Sequence, residues 1–153
     1  MTLEPWLRFA HITGAVIWIG GGLMLTVIGG RARRSGDIVL IREFARTLSY
    51  VGPRVLAPAV IVVLASGIWL VVQQSRDFSQ LWILLALGAF AAAFVIGAVY
   101  LSRSAMMVER AAADSTGDTH AARDALGRWM LGYAAVLVIL LFALWDMIFK
   151  PGL

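Results

Sequence analysis

Four stretches of this chain stay apolar for long enough to cross a membrane, and that property decides most of what the chain can fold into. A helix needs about 20 predominantly apolar residues to span about 30 Å of hydrocarbon. The stretches run from about Trp6 to Gly30, Pro53 to Gln74, Leu81 to Ser102 and Arg128 to Phe149. Lipid offers no partners to backbone N–H and C=O groups, so each stretch must satisfy them internally, as a helix does. Of the 153 residues 61% are apolar and 14% charged, whereas a soluble domain carries about 25% charge. That balance excludes an ordinary soluble enzyme and a disordered tail. The absence of cysteine excludes disulfides, thiolate metal sites and Fe–S clusters. The expected fold is an all-α integral membrane protein, a four-transmembrane-helix bundle in which residues 1–153 form a single membrane domain. The first stretch reads as a span, because a secretory signal carries an apolar run of only about 7–15 residues and MTLEPWLR places Glu4 beside Arg8.

The connections give the orientation. Arg31, Arg33, Arg34, Arg42 and Arg46 lie between the first two spans, with Arg54 just inside the second; Arg103, Arg110, Arg123 and Arg128 lie between the last two. Only Arg8, Arg76 and Lys150 fall on the opposite side. The positive-inside rule places the arginine-rich face in the cytoplasm and both the N and C termini outside. The twelve-to-one excess of arginine over lysine reflects GC-rich bacterial coding, so a bacterial cytoplasmic (inner) membrane, crossed several times, is the expected location. The net charge of +4 therefore reflects topology and implies no nucleic-acid partner. The lipid bilayer is the expected partner, and a homo-oligomer is a candidate.

The outer turn SRDFSQ is short, so spans two and three should be antiparallel neighbours, with Asp77 or Ser79 capping the third helix. Residues 37–51 are amphipathic: Ile38, Ile41, Ala45 and Leu48 oppose Arg42, Glu43 and Arg46. They either lie at the cytoplasmic surface or extend the second helix downward until Pro53 bends it. AAADSTGD, from Ala111 to Asp118, reads as a flexible loop, and Asp118 or Thr119 as the start of the last helix.

Helices in lipid associate through small residues that permit close approach. Gly88 with Ala92, Ala93 with Gly97, the Gly20–Gly22 cluster and Gly132, Ala134 and Ala135 provide such surfaces. Glycine on a helix face can also leave room for a flat cofactor. Trp6, Trp69, Trp82 and Trp145 fall near outer helix ends, as in an interfacial belt, whereas Trp18 sits mid-span and should face another helix.

Ionisable residues within a span are costly and are functional candidates by default. His11 lies about one turn into the first span, on a stripe with Arg8, Ala15, Trp18 and Gly22. Asp146 lies at similar depth in the last turn of the fourth span, where the helix dipole disfavours an acid, so Arg8, His11 and Lys150 are its expected partners. Asp146, Lys150 and Arg54 make up the structural polar set. His11 reads either as an interfacial imidazole or as a metal or haem ligand. His120 lies across the membrane from it, and only Met147 among the methionines shares its depth. Nucleotide-binding, zinc-protease and nucleophile-elbow motifs are absent.

Three segments carry a resemblance: LRFAHITGAVIWIGGGLML, GPRVLAPAVIVVLASGIWLV and WDMIFKPG. In this order, over essentially the whole chain, they resemble the DUF2269 family of small bacterial integral membrane proteins. That family is similar to HemJ-type protoporphyrinogen oxidases, four-span haem proteins with a first-helix histidine, and to CopD-like copper resistance domains. The resemblance implies haem b, with its axial histidine falling on His11. It assigns no reaction, because the essential third-span lysine of the HemJ type has no counterpart: Gln80-Leu81-Trp82-Ile83 stand there. The expected function is thus a haem-binding, redox-associated membrane protein. Its candidate cofactor residues are His11 as ligand, Arg8 as propionate partner, and Trp18, Gly21 and Gly22 along the macrocycle. The alternatives are a non-enzymatic assembly or interaction subunit without cofactor, and copper handling with His11 as metal ligand.

Overall fold

The computed structural model describes residues 3–114 and 119–152. It contains α1 (Glu4–Ser35), α2 (Ile38–Val51), α3 (Ala57–Gln73), α4 (Leu81–Val95), α5 (Ser102–Asp114) and α6 (His120–Phe149), and among the described residues no strand. Short π-helical turns, Gly52–Leu56 and Ile96–Leu101, join α2 to α3 and α4 to α5 without a break. Four rods result, each long and apolar enough to cross a membrane. An even number of crossings puts both chain ends on one face, the outer one by the charge bias.

Each rod is longer than its apolar stretch, and the excess lies at the cytoplasmic end. The amphipathic segment 37–51 extends the second rod downward and does not lie flat. Asp37 starts it by accepting a hydrogen bond from the Val39 amide at 2.8 Å. Gly36, at φ +68°, ends α1 in the left-handed conformation that glycine adopts without strain. Pro53 does not break the rod: it sits in the π turn, where the missing N–H is absorbed by a wider loop of backbone. Residues 111–114, expected to be loop, are the last turn of α5; 115–118, including Asp118, lie outside the described residues. Thr119 does precede α6, but its side chain makes no capping bond. Asp77 organises the outer turn by accepting from the Ser79 amide at 2.9 Å and does not cap α4, whose N-cap is Gln80. That amide holds the Asp77 carboxyl below its ordinary value.

The densest core is cytoplasmic. Ile41, Phe44 and Leu48 of α2, Val108 and Ala112 of α5, and Ala122, Leu126 and Trp129 of α6 are buried together. Arg42 clamps this end by donating from Nε and Nη2 to the Ala112 carbonyl at 3.2 and 2.8 Å. Apolar side chains there gain from leaving water, which those in lipid do not.

Nearer the outer face the packing is different. α1 packs on α3 and α6, and α6 on α4, but α3 and α4 do not pack closely on each other. The expectation that spans two and three are neighbours therefore holds only at their ends. There the 74–80 turn ties them together outside, and α2 packs on α5 inside. A short turn fixes where two helices meet; it does not make their flanks touch. The gap between the flanks is the site described next.

Candidate functional site

The gap between α3 and α4 is a cavity of about 280 Å³, closed behind by α1 and α6. Its walls are apolar and aromatic. Leu64, Ile68 and Val71 come from α3, Trp82, Leu87 and Phe90 from α4, and Phe78 from the outer turn; Met147 projects from α6. His11, Arg8, Gln74 and Lys150 supply its polar atoms.

His11 is held by α3. Its Nδ1 lies 3.0 Å from the Val63 carbonyl oxygen and 3.1 Å from Ser66 Oγ. A carbonyl only accepts, so Nδ1 carries the proton and donates to it. The Ser66 hydroxyl spends its own proton on the Val62 carbonyl, which leaves its lone pairs toward the ring. In the neutral imidazole, Nε2 is then a free lone pair. Two glycines make this approach feasible. A Cβ at Gly14 would lie 2.9 Å from Val63 Cγ2, so glycine is what lets α1 seat on α3. A Cβ at Gly67 would lie 3.0 Å from His11 Cε1, so the ring occupies space that a side chain would take.

The outer rim is charged. Arg8 pairs with Glu4, and Glu4 also accepts from Gln74 Nε2 at 3.1 Å, which ties α1 to the end of α3. Lys150 caps α6 in the left-handed conformation, φ +46°, with its Nζ 5.2 Å from the centre of the Trp82 ring. Pro151 follows and cannot continue the helix.

Several candidate residues stand elsewhere. His11 and Asp146 do not meet: the imidazole turns to α3, Arg8 to Glu4, and Lys150 to Trp82. Asp146 is fully buried, and neither carboxyl oxygen has a hydrogen-bond partner among the described residues. Arg54 is far from this group, on the cytoplasmic side, with its guanidinium 4.5 Å over the Tyr50 ring. Trp18, Gly21 and Gly22 are not on the cavity wall. Trp18 is buried edge-on to Phe90 at 5.8 Å, and Gly21 faces Leu56. The space at Gly22 is filled by Tyr133, whose hydroxyl donates to the Trp18 carbonyl at 3.2 Å. Tyr133 in turn stacks on Trp129 at 5.3 Å. Of the glycine cluster, Gly22 thus accommodates a tyrosine of the same chain. Tyr133 and Ser66 escaped the sequence reading; the serine had a signal, as a hydroxyl in the middle of an apolar span.

Among the described residues no group of three or more His, Cys, Asp or Glu side chains converges as a metal site. A copper site on this cavity would have only His11 and Met147 as donors.

The order and content of the spans match one family model from residue 5 to 151, that of a predicted integral membrane protein, DUF2269. The chain belongs to the DUF2269 family. No curated protein and no solved structure matches it. DUF2269 membership rests on nearly the full length, both ends of the cavity included.

Proposed function

We propose that this DUF2269 protein binds haem b in the cavity between α3 and α4, with His11 Nε2 as the atom that would hold the iron. One observation carries the reading: the Nδ1–H bond to the Val63 carbonyl, which fixes the ring and leaves Nε2 free beside an apolar cavity. Histidines that ligate metals are oriented in this way, through a bond from the second nitrogen to a carbonyl. The donor chemistry fits, since one imidazole can hold a haem iron and the cavity presents His11 together with the Met147 thioether. Gly67 leaves the space in which the His11 ring itself sits, which seats the donor at the cavity wall. At about 280 Å³ the cavity is near the lower end of ligand pockets, about 300–1,000 Å³, and its side between α3 and α4 is not closed by helix packing.

Haem would supply one-electron exchange. The residues of the chain would hold and shield it. Arg8 and Lys150 at the rim offer cations for propionates, and Phe78, Trp82 and Phe90 exclude water. The test is the absorption spectrum of protein expressed with haem supplied. A Soret band is expected in the wild type and its loss in His11→Ala; no band in the wild type overturns the proposal.

A second reading has its own observation. Gly88 and Ala92 are exposed on α4, and a Cβ at Gly88 would touch nothing, so a small-residue face is left unused within the chain. On this reading the bundle is an assembly subunit that docks a further helix there, with no cofactor. Gly88→Leu would then abolish association, seen as a smaller particle in detergent, while His11→Ala would leave association intact.

A further inference from the structure

A second concave site lies at the opposite end of the molecule. Of the ten cytoplasmic-side arginines, five are engaged. Arg33, Arg34 and Arg42 donate to carbonyls, Arg46 pairs with Glu43, and Arg54 lies over Tyr50. Among the described residues the side chains of Arg31, Arg103, Arg110, Arg123 and Arg128 have no partner. Two of these five, Arg110 and Arg128, line one groove between α5 and α6, about 460 Å³ in volume, with Met107, Ala111, Ala121 and Asp124.

The convergence follows from chain direction. Side chains on a helix lean toward its N-terminus. α5 runs toward the cytoplasm, so Arg110 leans back toward the membrane. α6 runs outward, so Arg128 leans toward the cytoplasm. Arg128 lies about 30 Å from the outer end of α6 at about 1.5 Å per residue, which is the inner edge of the hydrocarbon. Asp124 stands one turn before Arg128, and the described lining residues together carry one net positive charge. The N-terminal turn of α6 adds the positive end of a 30-residue helix, which the Thr119 side chain does not cap. Met107, Ala111, Ala121 and Ala125 give an apolar floor beside these charges.

We propose that this groove binds the headgroup of an anionic phospholipid of the inner leaflet, with Arg110 and Arg128 holding one phosphodiester. Charge complementarity selects the occupant: a single negative charge meets a single net positive one, at headgroup depth, next to an apolar floor suited to the glycerol end of the chains. These two arginines thereby do more than set topology, which the other cations on this face also do.

The test titrates the full chain in detergent with phosphatidylglycerol or phosphatidylcholine and reads bound lipid by native mass spectrometry. Phosphatidylglycerol binds about 10- to 30-fold more tightly, from about a factor of 5 per arginine. The preference is lost in R110Q/R128Q and retained in R31Q/R103Q, which removes two unpartnered arginines outside the groove. Asp124→Asn removes the opposing carboxylate and tightens phosphatidylglycerol several-fold. Millimolar sn-glycerol 3-phosphate does not displace the lipid. Equal affinity for the two lipids, equal loss in both double variants, no gain with Asp124→Asn, or displacement by glycerol phosphate would each overturn the proposal.

Discussion

Replacing Gly22 by alanine adds one methyl group at the most crowded of the described glycines. A Cβ there would lie 1.7 Å from Tyr133 Oη and 2.0 Å from Cζ and Cε1, so the ring has to leave. Its departure breaks the hydrogen bond to the Trp18 carbonyl, worth about 0.5–1.5 kcal/mol. It also disturbs the stack on Trp129, worth about 0.5–1.5 kcal/mol beyond area. Overpacking strain adds about 1–3 kcal/mol, and the better helix propensity of alanine returns about 1 kcal/mol. The net expected loss is about 2–4 kcal/mol, a fall in melting temperature of about 5–15 °C for a chain of this size, read by thermal unfolding in mild detergent. The diagnosis is specific to the tyrosine. In a Tyr133→Ala background, already less stable, Gly22→Ala should cost less than about 1 kcal/mol, because the displaced ring is gone. Wild-type melting of Gly22→Ala, or an equal penalty in both backgrounds, would refute the packing of α1 against α6 described here.

Other perturbations test separate parts of the account. Tyr133→Phe removes only the hydroxyl and should cost about 1 kcal/mol, leaving the Trp18 carbonyl with its helical partner; a cost above about 3 kcal/mol in the same melt would contradict it. Asp146→Leu replaces a buried carboxyl that has no hydrogen-bond partner among the described residues with an apolar group of similar size and should raise the melting temperature, by about 1–3 kcal/mol of stability. A marked fall would mean that Asp146 is bonded. Trp129→Ala should be the most damaging single truncation, at about 3–5 kcal/mol, since the ring sits between Phe44 and Tyr133 in the cytoplasmic core; a loss below about 1 kcal/mol would place the core elsewhere.

Hydropathy carries the four spans because lipid demands long apolar helices and little else produces them. It fails at the cytoplasmic ends, where α2 and α5 alternate charged and apolar residues and are buried against each other in water. A window that averages such a pattern sees neither span nor loop. His11 was legible as a polar exception within an apolar helix. Its orientation was not, because the acceptor that sets it is the backbone carbonyl of Val63, and every residue has one. The pairing of His11 with Asp146 followed from equal depth alone, whereas azimuth around the helix axis decides contact, and the two side chains point to different neighbours. Gly22 read as open space for the same reason: sequence shows a missing side chain but not which ring, here Tyr133, enters the gap. The cavity arises from two helices that fail to touch along their flanks, and no residue spells that out.

The central claim is that His11 Nε2 is a free ligand facing the cavity, and removal with chemical rescue tests it directly. His11→Gly should abolish the Soret band of protein expressed with haem supplied, and added imidazole, small enough to enter the vacated space, should restore it. Saturation of the wild type at one haem per chain is expected alongside. A His11→Gly protein with an unchanged spectrum, or a wild type that takes up no haem, would contradict the account.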